Sequence, residues 1–272
     1  MVLIPLLQRC VQLLALPVYL LAYLGLWEPF CKKVFPYAMA RIANIYNLKM
    51  FEKKQELFSS LKEFSGSSGE LNLLEIGTGS GANFQFFPPG CRVTCTDPNP
   101  NFKKFLLKSM AQNQHLRFER FVVASGENLH SVADGSMDAV VCTLVLCSVS
   151  STEKVLSEVL RVLRPGGAFY FLEHVADHPS SWGYFWQQIC EPTWRYLGDG
   201  CCLTRETWKD LEKAKFSQLE LCYINGPMKW SPVLPHITGR SPPPSRALLY
   251  LFPHTYLWLP LLSVPEKQAG KG

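Results

Sequence analysis

A short apolar run, Leu71–Ile76, ends in Glu75-Ile76-Gly77-Thr78-Gly79-Ser80-Gly81. Glycines at alternate positions let the chain turn sharply and let a ligand reach the backbone with no Cβ in the way. Such a loop at a strand end suits a nucleotide, and alone it also suits a dinucleotide fold. Glu75 changes that balance. A carboxylate two residues ahead of the glycines can meet the cationic end of a cofactor or fix the loop, whereas a pyrophosphate site wants no negative charge there. Asp97 closes the next apolar run, sixteen residues after Gly81, where a carboxylate can accept both hydroxyls of a ribose. Ser125-Gly126-Glu127 follows a third run, in the place of an adenine edge, and Arg164-Pro165-Gly166-Gly167 precedes a fifth. A nucleoside with a cationic end, S-adenosylmethionine (SAM), fits this set.

Each residue also has a plainer role. Glu75 can pair with a nearby Lys. Asp97, before Pro98, can be a turn residue. Asn99 is a candidate cofactor contact or a cap for the helix that follows, and Glu127 can be a surface residue at a helix start. His174, past the fifth run, is the one candidate proton acceptor, and a hydrogen-bonded structural histidine is the alternative. No catalytic residue is fixed by the sequence.

Alternating strands and helices must position these groups. Apolar runs predict strands at Leu71–Ile76, Cys91–Thr96, Phe118–Ala124, Ala139–Ser148 and Ala168–Leu172. Helices are expected at 40–64, with Leu57, Phe58, Leu61 and Phe64 on one face, after the glycine loop, at Phe102–Met110, at Val155–Leu163 and near Thr204–Ala214. The alternation argues for an α/β fold, a doubly wound parallel sheet with helices on both faces and ligands at its carboxyl ends. Gln218–Tyr223 and Val233–Thr238 are candidate last strands. The aromatic stretch Trp182–Trp194 is expected to wall an apolar pocket or face a membrane.

From Cys10 to Trp27 no residue is charged, and Pro17 interrupts the stretch. Eighteen residues of helix span about 27 Å, just short of a hydrocarbon core. A membrane anchor or an embedded hairpin is expected, with the main domain on the cytosolic side because Lys32 and Lys33 follow. Lys32, Lys33, Arg41, Lys49, Lys53 and Lys54 cluster near this segment and suit an anionic lipid surface. The net charge is only +5, with no basic run of the kind that reads nucleic acid. None of the ten cysteines stands in C-x-x-C spacing, so they read as reduced and mostly structural. No metal site is expected, and Cys201-Cys202 is the pair weighed for zinc and set aside.

The runs LLEIGTGSGANFQFFPPGCRVTCTDPNPNF, FERFVVASGENLH, VVCTLVLCSV, RVLRPGGAFYFLEHVA, FWQQICEPTW and DGCCLTRETWKDLE resemble the methyltransferase-like 7 family, the membrane-associated thiol S-methyltransferases. The resemblance runs from about Leu3 to Gly239. It implies a class I SAM-dependent methyltransferase that methylates small thiols, among them hydrogen sulfide and alkyl and drug-like thiols. It implies an endoplasmic reticulum and lipid-droplet location. The family's cofactor site falls on Glu75, Gly77, Gly79, Gly81, Asp97, Asn99 and Glu127. Two departures stand out: the loop reads Gly-Thr-Gly-Ser-Gly where relatives have Gly-Cys-Gly-Thr-Gly, and residues 240–272 continue past the family's end, which puts the last strand's pairing in doubt. The resulting division is a membrane segment at 1–31, a basic linker helix at 32–69, the methyltransferase domain at 70–239 and a Pro-rich apolar tail at 240–272. Competing readings are a different acceptor (a lipid, another small molecule, or arsenic held by Cys147, Cys201 and Cys202) and a non-catalytic membrane scaffold.

Overall fold

A computed structural model describes residues 3–64, 70–227 and 231–241. The expected Gly/Ser linker at 65–69 and the tail from 242 onward lie outside the described residues. Seven strands form one sheet: β1 (Asn72–Ile76), β2 (Arg92–Asp97), β3 (Arg117–Val123), β4 (Met137–Thr143), β5 (Leu163–His174), β6 (Glu220–Asn225) and β7 (Pro235–Ser241), in the order β3-β2-β1-β4-β5-β7-β6. β1 to β5 are parallel, as their apolar runs require.

The sheet is mixed, however, and the expectation of an all-parallel sheet is corrected at its last two strands. β7 runs antiparallel to both β5 and β6. Only residues 226–234 separate β6 from β7, fewer than the dozen or so that a parallel crossover needs. β7 is paired along its whole length, from Pro235↔Asn225 to Ser241↔Phe169, so the departure after Gly239 does not unpair the sheet.

Arg164–Gly167 is a bulge inside β5, not a turn ahead of it. Leu163 pairs with Met137 and Ala168 with Ala139, leaving four residues opposite Asp138. The Arg164 guanidinium binds the Asp138 carboxylate and the Phe64 carbonyl, which closes the bulge.

The helices are α1 (Leu3–Leu14), α2 (Leu16–Tyr23), α3 (Trp27–Phe58, continuing as a 3-10 turn to Phe64), α4 (Lys103–Gln112), α5 (Thr152–Val162), α6 (Trp182–Leu197) and α7 (Thr207–Lys213). α5 starts at Ser151, whose hydroxyl accepts the Lys154 amide. It buries Val155, Leu156, Val159 and Val162 against one face of the sheet. On the other face α4 and the end of α3 cover Leu73, Val93, Val141 and Tyr170.

α3 begins thirteen residues before its expected start and runs straight through Pro36. A proline inside a helix strips the carbonyl four residues back of its donor. Here that carbonyl belongs to Lys32, and the side-chain amides of Asn99 and Asn101 supply the missing donors at 2.8 and 3.2 Å. The helix expected after the glycine loop does not form. Pro88 and Pro89 follow too soon and bias Phe87 toward the extended region it adopts, so the chain makes only a 3-10 turn, Phe84–Phe86.

α1 and α2 are bent by 75° at Ala15, with Pro17 in the first turn of α2. No single described helix is long and apolar enough to cross a membrane, although this bent pair passes by length and composition.

Gly239 is a tight point where β7 runs between β5 and β6. A Cβ there would overlap the Glu220 carbonyl and stand 2.8 Å from the Phe171 ring. Gly239→Ala is expected to cost about 2 kcal/mol or more, read as a lowered thermal unfolding midpoint.

Candidate functional site

The carboxyl ends of β1, β2, β4 and β5 meet at the glycine loop. Gly77, Gly79 and Gly81 all have left-handed backbones, with φ of +62°, +54° and +74°. At Gly77 a Cβ would also overlap the Val145 side chain from the β4 loop. Thr78 ties the loop down, its amide donating to the Thr96 carbonyl at 3.0 Å and its hydroxyl to the Glu75 carbonyl at 2.9 Å.

Asp97, the last residue of β2, accepts the Gly79 amide at 3.0 Å on one oxygen and the Asn99 amide at 2.8 Å on the other. Burial pushes its pKa up to about 6 despite these two hydrogen bonds. It is therefore ionised at neutral pH, and each oxygen keeps a lone pair for a further donor.

Glu75 is fully buried. One oxygen accepts the Asn83 side-chain amide at 2.7 Å, and the other has no partner among the described residues. The Lys54 ammonium, brought in by α3, donates to Asn83 Oδ1 at 2.8 Å and to Asn47 Oδ1 at 2.7 Å. Asn83 thus bridges the two side chains. Burial pushes Glu75 up to about 8 and Lys54 down to about 8, each partly opposed by the other's charge. Without a ligand Glu75 therefore holds a proton at neutral pH; a cationic ligand at its unpartnered oxygen would displace that proton and pair with the carboxylate.

The β4–β5 side is organised by Glu173. Its two oxygens accept the Val145 and Leu146 amides, both at 3.1 Å, and burial pushes its pKa up to about 7. Leu144 turns the chain there with φ +58°, a conformation costing about 1–2 kcal/mol for a side chain of this kind. The turn presses Val145 onto Gly77.

The remaining sequence candidates fall as follows. Asn99 Oδ1 accepts the Asn101 amide, and Asn99 Nδ2 is engaged at Lys32, so this side chain caps a 3-10 turn and pins α3. Glu127 accepts the Ser151 amide at 2.6 Å, holding the start of α5. His174 is buried, with Nε2 3.2 Å from Cys201 Sγ and Nδ1 unpartnered among the described residues. On the same side, Tyr46 Oη of α3 is buried without a described partner, and its ring stands 6.0 Å from that of His236.

Sequence reasoning missed Lys54, Asn83 and Glu173. Lys54 counted as part of the basic surface cluster, but only 3% of it is exposed. Its spacing from Asn47, Met50 and Phe58, all on the buried face of α3, is the signal that could have found it.

A methyltransferase-domain family model matches residues 74–171, from β1 through β5. The chain is 62% identical over 240 residues to human thiol S-methyltransferase TMT1B, covering 88% of this chain and 98% of that protein. It is 65% identical over 219 residues to human thiol S-methyltransferase TMT1A, covering 80% and 90%. The chain belongs to the thiol S-methyltransferase family. This thiol S-methyltransferase is an enzyme that takes its methyl group from SAM. Among solved structures, the [4+2]-cyclase SpnF superposes with a TM-score of 0.53 at 15% identity, covering 70% of this chain and 80% of that one. A putative methyltransferase from Bacillus halodurans gives 0.51 at 16%, covering 69% and 99%. These confirm the class I fold alone; a cyclase on the same frame shows that the frame does not set the reaction.

The bridge makes Lys54 structural. Lys54→Met leaves Asn47 and Asn83 without their donor and Glu75 without its nearest cation. A loss of about 3 kcal/mol in unfolding free energy is expected, measured by urea denaturation.

Proposed function

We propose that Glu75, the three glycines and Asp97 hold SAM in this thiol S-methyltransferase, and that its acceptors are small lipophilic thiols reaching it from a membrane surface. The observation that carries the cofactor assignment is the buried Glu75 oxygen lacking a donor, beside a loop of left-handed glycines whose Gly79 amide is held by the Asp97 carboxylate. Glu75 meets the cationic amino-acid end, and Asp97 accepts the ribose hydroxyls. Asn99 and Glu127 border the site and act chiefly by fixing α3 and the start of α5. When bound, SAM supplies an electrophilic methyl on a sulfonium.

The protein's remaining task is to place a sulfur. A thiol of pKa about 8.5–9 is already a few per cent thiolate at neutral pH and strongly nucleophilic. Holding it about 3 Å from the methyl accounts for much of the acceleration. His174 faces a cysteine rather than open space, which supports transfer without a dedicated base. Hydrogen sulfide and alkyl and drug-like thiols share this chemistry.

The membrane assignment rests on α1, α2 and α6. Leu13, Leu14, Leu20, Leu24 and Trp182 are exposed, Leu14 at 85% and Trp182 at 77%, and Lys32 and Lys33 follow. This suits helices lying in one leaflet. A lipid droplet carries a single leaflet and the cytosolic face of the endoplasmic reticulum is continuous with it, so the proposed location is both, with the catalytic domain in the cytosol.

Transfer from labelled SAM to an alkyl thiol by the detergent-solubilised chain tests the reaction. Methyl thioether is expected from the parent and not from Asp97→Ala; no product from a chain that binds SAM would overturn the thiol assignment. Affinity for SAM, followed by calorimetry, is expected to weaken as pH falls through about 8, where Glu75 gains a proton, and more steeply below about 6, where Asp97 gains one and loses an acceptor site. Asp97→Asn should bind weakly and lose the steepening at about 6 while keeping the dependence set by Glu75. Flotation with liposomes should be lost when Leu13, Leu14 and Leu20 are replaced together by Ser, with thiol methylation in detergent retained.

A further inference from the structure

Cys147 lies four residues past β4, His174 is the last residue of β5, and Cys201 lies four residues past α6. The fold brings one ligand atom of each, two thiol sulfurs and an imidazole nitrogen, within 4.8 Å of the others. All three residues are buried. The loop carrying Cys201 is specifically shaped: Asp199 and Gly200 both have left-handed backbones, at φ +49° and +88°. The Cys202 amide then donates to the Cys147 carbonyl at 2.9 Å. Glu191 accepts the Leu203 and Thr204 amides at 2.6 and 3.3 Å, so the loop is held from both sides. His174 presents Nε2 to Cys201 Sγ at 3.2 Å, and its Nδ1 is buried with no partner among the described residues.

We propose that Cys147, Cys201 and His174 bind one thiophilic divalent cation of the zinc class, and that its open fourth position takes the sulfur of the acceptor thiol. The second half of this rests on the thiol-methylation reading above. Zinc–sulfur and zinc–nitrogen bonds of about 2.3 and 2.0–2.1 Å place tetrahedral ligand atoms about 3.5–3.8 Å apart. The 3.2 Å between His174 Nε2 and Cys201 Sγ reaches this with a shift of a few tenths of an ångström. Two thiols select zinc over magnesium or calcium, and three protein ligands are the number that leaves a position for substrate. On binding, each cysteine gives its proton to solvent and bonds the cation through sulfur. An acceptor thiol does the same at the fourth position and is thereby a thiolate at neutral pH. Cys147 is two residues from Val145, which packs on Gly77 of the glycine loop, so the proposed site and the glycine loop share the segment that follows β4.

The test uses the full chain in detergent, stripped with chelator under a phosphine reductant and titrated with Co2+ alone. A sulfur-to-cobalt charge-transfer band saturating at one ion per chain, and displaced by Zn2+, is expected. The band should vanish in the Cys147→Ser/Cys201→Ser double variant, with SAM binding and cooperative unfolding retained as proof of folding. His174→Ala should weaken Co2+ binding by about tenfold or more. Addition of an alkyl thiol to the cobalt form should shift its visible bands. No band in folded parent protein, or an equal band in the double variant, overturns the site. Undiminished methyl transfer after complete metal removal overturns the acceptor role and leaves thiol methylation standing. A cobalt spectrum with no methyl transfer overturns thiol methylation and leaves the metal site.

Discussion

Lys54, Asn83 and Glu75 form a buried chain of hydrogen bonds from α3 through the glycine loop to β1. Burying either group alone in its charged form would cost several kcal/mol, which is why burial moves both toward their neutral forms. Burying both, with an amide oriented between them, offsets much of that and makes each position depend on the others. The loop cannot slide without breaking Asn83 from Glu75, and α3 cannot lift without stranding Asn83 and Asn47. The same helix is pinned again at Ala82, whose carbonyl accepts from Asn47 at 2.5 Å, and at Lys32 by Asn99 and Asn101. From residue 32 to residue 54 a helix covers about 33 Å. α3 is therefore a roof over the carboxyl ends of β1 and β2, fastened at both ends by polar groups rather than by packing alone.

Glu173 plays the corresponding part on the other side of the loop. Its carboxylate gathers the Val145 and Leu146 amides and offsets the strained Leu144 backbone that aims them inward. Val145 then meets the face of Gly77 where no Cβ stands. Two buried carboxylates, at the ends of β1 and β5, thus set the loop's two flanks, and neither is used up by a direct ion pair. A glycine loop is soft by nature, and this one is stiffened by what surrounds it.

Much of this was legible in the sequence. The five parallel strands, the glycine loop and Asp97 were readable because each is a local pattern: an apolar run, then a residue type at its end. What failed was whatever depends on partners distant in the chain. The helix expected at 40–64 falls short of the start of α3, because the Asn99 and Asn101 amides that cover the Lys32 carbonyl ahead of Pro36 are distant in the chain. Arg164-Pro-Gly-Gly167 reads as a turn until Asp138 is seen to bind Arg164. Lys54 reads as a surface charge because five other basic residues share its neighbourhood. The antiparallel β7 was implicit in the nine-residue connection that precedes it. Cys201 and Cys202 invited pairing because they are adjacent, but the two side chains part: Cys201 turns to His174, twenty-seven residues away, and Cys202 lies 3.5 Å from the Arg195 guanidinium.

The N-terminal helices are tied to the catalytic frame by polar groups on one side and bare on the other. Gln8 donates to the Gln188 carbonyl, the Tyr19 and Thr193 hydroxyls stand 3.1 Å apart, and Trp27 donates to the Tyr196 carbonyl. All three partners lie on α6. A straight span leaving the domain perpendicular to a bilayer would give up the first two of these bonds and strand their groups in hydrocarbon, where no water replaces them. A bent pair lying flat keeps them and still turns Leu13, Leu14 and Leu20 outward. On the proposed interfacial arrangement, α6 is then both the dock for α1 and α2 and the element that delivers Cys201. The proposed lipid contact at Trp182 and the proposed metal ligand His174 would then stand at two ends of one short piece of structure, as the proposed lipophilic acceptors would require.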